Sequence, residues 1–241
     1  MKTKLFLLAL IASLSLFSCE EDEFTEIDSG SGSSDTYLVT QYKYKNTTIG
    51  TINKTFTYNS DNLVSKITEV FENETTTYDI SYDNMNRVIK IDQDGKGQYE
   101  FEYSAGKIVE KWNYNMTDYW QTINYDVDSD GKILRRQEKD SDSYSIYIWE
   151  NGNMISNTFY YSGGNTTTTY TYDTDILNPG YDQYLLEHPM WESKNAKSGY
   201  DTNSGGGSYT LSSNSGGYLT SSQAYNSYLG TTTETYTYTT L

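Results

Sequence analysis

Polar and apolar residues alternate along most of this chain with a period of two. Tyr99, Phe101 and Tyr103 share one side of a run whose other side is Gln98, Glu100 and Glu102. Ile108, Trp112 and Tyr114 alternate with Lys111 and Asn113, and Tyr144, Ile146 and Ile148 with Ser143 and Ser145. That spacing predicts strands with one apolar and one solvated face, the pattern of antiparallel sheet. The strands come in a repeat. Thr57-Tyr58-Asn59-Ser60-Asp61-Asn62-Leu63-Val64 returns as Ser81-Tyr82-Asp83-Asn84-Met85-Asn86-Arg87-Val88 and as Glu102-Tyr103-Ser104-Ala105-Gly106-Lys107-Ile108. Further copies are Asn124-Tyr125-Asp126 running to Ile133, and Trp149-Glu150-Asn151-Gly152-Asn153-Met154, while Thr171-Tyr172-Asp173 opens a sixth. The aromatics at 58, 82, 103, 125, 149 and 172 lie 24, 21, 22, 24 and 23 residues apart. Each copy reads as an aromatic strand end, a polar turn and a strand opening on an aliphatic pair. Asp130-Gly131 and Asn151-Gly152 are hairpin turns by their chemistry, because the short side chain satisfies turn backbone groups and glycine accepts positive φ. A period of this length means tandem hairpins, none able to bury its own apolar side.

Something must cover that side, and no long amphipathic helix is present in the sequence. The fold class expected is therefore all-β, an antiparallel meander of hairpin repeats closed or rolled into a barrel, which also removes the sheet edges. After Tyr172 the rhythm breaks. Both prolines, Pro179 and Pro189, fall in this stretch, and Asp182 to His188 predicts one short helical insertion placed to plug a barrel end. Tyr209 to Thr220 reads as a degenerate hairpin, and Thr232 to Thr240, with Tyr236 and Tyr238 in step, as a closing strand.

Composition agrees. The 241 residues include 26 Tyr and 32 Thr against 2 Pro, a mixture that favours strands and excludes a helical bundle. With 33 acidic and 17 basic residues, net −16, the chain would repel phosphates, so nucleic acid is not an expected partner.

The first 18 residues read as a lipoprotein signal peptide: Lys2 and Lys4 precede an uncharged apolar run from Leu5 to Phe17, too short for an ordinary spanning helix. Leu16-Phe17-Ser18-Cys19 resembles the lipobox of bacterial lipoproteins, and lipidation of Cys19, the only cysteine, accounts for a lone thiol in an exported protein. A cleaved signal peptide followed by an incidental cysteine is the alternative. Glu20-Glu21-Asp22-Glu23 resembles the export signal that sends Bacteroidetes-type lipoproteins to the cell surface; an ordinary charged tether explains the same residues. Residues 19–35, rich in Ser, Gly and acid, form a flexible tether, and 36–241 a single β-repeat domain.

Few chemistries survive the residue inventory. One histidine, His188, excludes multi-histidine metal sites, a lipidated cysteine cannot be a nucleophile, and no Gly-x-Ser-x-Gly elbow is present. The expectation is a non-enzyme. Carboxylate-based glycan hydrolysis is the alternative, since a pair of acids suffices; Glu100 or Glu102 buried beside Tyr99 would favour it. Asp126-x-Asp128-x-Asp130-Gly131 matches the opening of a calcium loop, although Gln137 stands where the bidentate acid belongs, and a solvated hairpin accounts for the same residues. Calcium is the one cofactor the sequence raises. Trp120, Trp191 and Tyr119 are candidates for stacking on a ligand, and strand alternation would put Tyr119 and Trp120 on opposite faces, leaving one exposed.

The Tyr-Asp-x-x-Gly/Asn-basic-aliphatic repeat is similar to the YD repeats of Rhs-type proteins. Together with the lipobox and the Asp173-x-x-x-x-Asn178-Pro179 turn followed by Ser193-Lys194-Asn195, it makes residues 37 to 225 resemble a family of Bacteroidetes lipoproteins with a porin-like β-barrel. The resemblance implies a porin-like barrel, of about 14–16 strands, on an outer-membrane or surface lipoprotein, and implies no activity or catalytic residues. The functional expectation is a binding or structural module for a glycan or other extracellular polymer, with a small-molecule carrier or pore as a further alternative.

Overall fold

The computed structural model describes residues 37–114, 119–179, 193–226 and 230–241. They form 16 strands: β1 (Tyr37–Asn46), β2 (Gly50–Tyr58), β3 (Val64–Phe71), β4 (Glu74–Tyr82), β5 (Val88–Gln93), β6 (Gly97–Ser104), β7 (Lys107–Tyr114), β8 (Gln121–Val127), β9 (Ile133–Glu138), β10 (Tyr144–Glu150), β11 (Asn153–Tyr161), β12 (Gly164–Leu177), β13 (Asn195–Thr202), β14 (Gly205–Ser213), β15 (Leu219–Asn226) and β16 (Gly230–Thr240). Each pairs antiparallel with its sequence neighbours, and β1 pairs with β16 from Tyr37↔Thr240 to Asn46↔Thr232, closing the barrel. The expected meander is thus one closed sheet without an open edge. There is no helix among the described residues. The insertion at Asp182 to His188, Cys19, the tether and Trp191 lie outside them.

The repeat has a structural cause. In four hairpins an Asn or Asp carboxamide or carboxylate oxygen accepts two backbone N–H groups of its own turn: Asn59 from Asp61 and Leu63, Asp83 from Met85 and Arg87, Asp128 from Asp130 and Lys132, and Asn214 from Gly216 and Tyr218, all at 2.8–3.0 Å. The fourth loop residue is left-handed in each, with φ of 60° at Asn62, 59° at Asn86, 76° at Gly131 and 81° at Gly217. Asparagine and glycine tolerate that conformation, which is why they occupy it. Asn151 and Gly152, both at positive φ, make the two-residue turn that Asn-Gly predicts. The strand after such a turn bulges, with Ser65 and Ile89 as extra residues opposite Thr57/Tyr58 and Ser81/Tyr82, and the anchoring aromatic reaches across the barrel wall. Tyr58 donates to Val39 O (2.6 Å), Tyr82 to Val64 O (2.7 Å), Tyr103 to Val88 O (2.6 Å), the Trp149 indole to Ile133 O (2.6 Å), Tyr172 to Met154 O (2.6 Å) and Tyr238 to Leu219 O (2.5 Å). Five of these six aromatics are therefore tied to the first aliphatic residue of the preceding strand, and Tyr58 to the second one of β1.

Two sequence expectations need correction. The fourth copy aligns on Val127-Asp128 rather than Tyr125-Asp126, since Asp128 holds the turn; Tyr125 sits one inward position earlier, and its phenol goes to Glu110 instead. In β10 the faces are reversed: Ser145 and Tyr147 are buried and Ile148 is 52% exposed. The segment Tyr144-Ser-Ile-Tyr-Ile-Trp149 is apolar on both faces, so alternation is ambiguous there. The inward anchor Trp149 settles it and carries Tyr147 and Ser145 inward with it.

The core lies towards the end of the barrel that carries these turns, where Val39, Phe56, Val64, Ile80, Val88, Ile91, Ile108, Ile123, Ile133 and Met154 are buried in one cluster. Along the same inward positions burial falls towards the opposite end. Tyr147 is buried, whereas Phe159, in line with inward Ser145, is 44% exposed, as is Tyr161, and their rings stack at 5.8 Å. The barrel is packed at one end and open at the other. Its outer face is polar, with Lys66–Asp79 and Lys90–Asp92 ion pairs and a Lys111–Glu102 pair across strands.

Candidate functional site

In the closing strand Tyr236 and Tyr238 face inward, and the period of two places Glu234 on the same face. Its register partners are Tyr44 on β1 and Ser222 on β15. One Glu234 oxygen accepts the Tyr42 hydroxyl at 2.9 Å and the other the Ser222 hydroxyl at 2.6 Å, so the carboxylate bridges the seam where the barrel closes. Burial, reinforced by the neighbouring Glu234 charge and the hydrogen bond to it, pushes the Tyr42 phenol far above its ordinary range. Burial and then the same charge push Tyr209 up. A cavity of about 400 Å³ opens here, lined by Tyr44, Tyr200, Tyr209, Tyr236, Glu234 and Lys197 among others.

Small residues make the room. Gly207 pairs directly with Tyr200, and a Cβ on Gly207 would stand 2.8 Å from the Tyr200 ring, so glycine lets that ring lie over the strand. Ala224, opposite Tyr209 and Thr232, leaves the wall between them low. The Tyr200 and Tyr209 rings meet at 6.2 Å, and the Lys197 ammonium sits 4.4 Å above the Tyr170 ring, a cation–π contact. Aromatic faces, a carboxylate held from behind and a lysine therefore converge on one space.

A second polar cluster interrupts the core between β7 and β9. Glu110 and Arg136 hold inward positions that Ile67 and Ile91 fill in earlier hairpins, and Tyr125 the one that Phe56 and Ile80 fill. Tyr125 donates to Glu110 at 2.5 Å. Burial raises the Glu110 pKa, partly offset by that hydrogen bond and by the Arg136 charge. Lys54 and Glu69 pair at 3.0 Å on the inward face of β2 and β3.

Of the residues singled out in sequence, Tyr119 and Trp120 are both exposed, at 69% and 38%. They precede β8 rather than lie in it, so strand alternation does not apply. Neither lines the cavity. Asp126, Asp128 and Asp130 are not brought together as ligands: Asp128 closes the turn, as Asn59 does in its own hairpin, and the nearest cation to Asp126 is Lys107 at 4.0 Å. Among the described residues no three His, Cys, Asp or Glu side chains converge as a metal site. Glu100 and Glu102 are on the outer face, against Gln98 and Lys111, not buried beside Tyr99. Sequence patterning alone does not single out Glu234 or Glu110. The signal for both was an acid standing in the apolar register, Glu234-x-Tyr236-x-Tyr238 and Ile108-x-Glu110-x-Trp112.

No family model and no curated protein matches the chain. Among solved structures it is similar to the crystal structure of a porin-like protein from Bacteroides uniformis, with a TM-score of 0.57, 14% identity, and coverage of 83% of this chain and 96% of that one. The fold is that of a porin-like barrel. A TcdB2–TccC3 structure also aligns, at a TM-score of 0.30 and 12% identity over 77% of this chain and 9% of the other.

Proposed function

We propose that this is an outer-membrane or surface lipoprotein, lipidated on Cys19, whose barrel is a non-catalytic module binding a glycan or another extracellular polymer in its lumen. The observation that carries this reading is the cavity of about 400 Å³ in which Tyr44, Tyr200, Tyr209 and Tyr236 surround Glu234. Tyrosine faces stack on sugar rings while their hydroxyls bond the ring substituents, and a cavity of this volume fits a small ligand or a short stretch of polymer. The stacked Phe159 and Tyr161 at the open end supply a further exposed aromatic surface.

The outer wall supports a water-exposed barrel over a pore. Strands β5, β8, β9 and β10 have six or seven residues, fewer than the nine to eleven or so that span a bilayer, and charged side chains on a lipid face cost about 2–4 kcal/mol each at the midplane. Among the described residues the cavity lining contains one carboxylate, Glu234, whereas glycoside hydrolysis of the paired-acid kind uses two. The test is a glycan array, followed by calorimetry, on the full chain carrying Cys19→Ser. At least one glycan class should bind, and Tyr209→Ala should weaken it tenfold or more with the far-ultraviolet spectrum unchanged. An empty array, or binding indifferent to Tyr209→Ala, contradicts the reading.

A further inference from the structure

We infer that the Glu234 cavity selects a ligand carrying a positively charged amine, an amino sugar without its acetyl group rather than a neutral one. This rests on the lumenal binding reading above and adds the ligand's charge. Both oxygens of Glu234 receive a hydrogen bond from the wall, from Tyr42 on one side and Ser222 on the other. Those two bonds orient the carboxylate and occupy only part of its acceptor capacity, because an ionised carboxylate has about four lone-pair sites. The remainder is left for a donor in the cavity. Around it stand the rings of Tyr44, Tyr200, Tyr209 and Tyr236, whose negative π faces attract a cation within about 6 Å. A neutral sugar would use the rings and waste the carboxylate; an acidic one would be repelled by it. An ammonium uses both.

A ring beside the cavity already holds a cation. Lys197, which lines the same cavity, rests its ammonium 4.4 Å above the Tyr170 ring. Lysine is also the group that opposes a cationic ligand, so its removal has a defined sign. Further out, inward register positions hold Glu69, Glu74, Glu110 and Glu138 against Lys54 and Arg136, and the chain as a whole carries net −16. A lumen of that sign concentrates cations at the site.

The experiment titrates the Cys19→Ser full chain with a glucosamine tetramer and an N-acetylglucosamine tetramer, at mildly acid pH where the free amines are protonated. The glucosamine tetramer should bind at least tenfold tighter. Glu234→Gln, which keeps an oxygen for Tyr42 but removes the charge, should erase that difference by weakening the glucosamine tetramer alone. Lys197→Met, which keeps the apolar stem, should tighten it several-fold. Should Glu234→Gln fail to fold, the Lys197→Met result decides. Equal or preferential binding of the acetylated tetramer overturns the inference and leaves lumenal glycan binding standing. If neither tetramer nor any arrayed glycan binds the folded chain, the binding reading falls with it.

Discussion

Tyr82 shows how much one phenol does in this wall. Its ring fills the space beside Val64 and its hydroxyl donates to Val64 O at 2.7 Å, so the same side chain supplies apolar burial and a hydrogen bond to a strand carbonyl. Burial raises its pKa from 10.0 to about 12. Tyr82→Phe should cost about 1–2 kcal/mol at neutral pH, read as a fall in melting temperature. The sign with pH follows from linkage: a group whose folded pKa lies above its unfolded value contributes stability that is complete below pH 10 and disappears as pH rises through about 12. The gap between wild type and Tyr82→Phe should therefore close across that window, and a gap that persists above it would show that ionisation of this hydroxyl is not linked to folding. The anchors were legible because they recur; Tyr58, Tyr82 and Tyr103 announce themselves by spacing. Glu234 and Glu110 do not recur, and an acid among tyrosines is readily taken for an outward residue unless the period of two is followed to the end of the strand.

At the scale of the hairpin, turn chemistry sets the register. The Asp128 carboxylate accepts the Asp130 and Lys132 amides, and the same two bonds at Asn59, Asp83 and Asn214 show that this is a job the turn itself requires. In Asp83 the carboxylate also takes the Arg87 side chain, and that hydrogen bond holds its pKa below the usual range. Asp128→Ala should destabilise the fold by about 1–2 kcal/mol, and millimolar calcium should leave the melting temperature of the wild-type chain unchanged. A calcium-dependent rise that Asp128→Ala abolishes would restore the metal site. Asn151-Gly152 and Asp130-Gly131 were readable as turns because the left-handed conformation restricts the choice of residue. The reversed β10 was not, because both of its faces are apolar and only Trp149's bond to Ile133 O, a contact 16 residues away, chooses between them. The two-residue offset of the fourth copy has the same origin: Tyr125-Asp126 and Val127-Asp128 present similar patterns, and the turn bonds choose the second.

The whole molecule follows from hairpins that cannot bury their own apolar side and so share one. Sixteen strands in sequence order meet at the β1–β16 seam, where Asn46 donates to the Thr232 hydroxyl at 2.8 Å and Tyr37, Tyr218 and Tyr238 cluster. Closure was predictable from the absence of anything else to cover the apolar face. That the interior is packed at one end only was not, since it depends on how inward side chains of different size meet across the lumen. The most direct test of the closed, water-exposed barrel is hydrogen–deuterium exchange on the Cys19→Ser chain in buffer without detergent. Amides of residues 37–46 and 230–240 should be protected as strongly as those of β6 and β7. Rapid exchange in both terminal strands beside a protected centre, or a chain that stays in solution only with detergent, would contradict it.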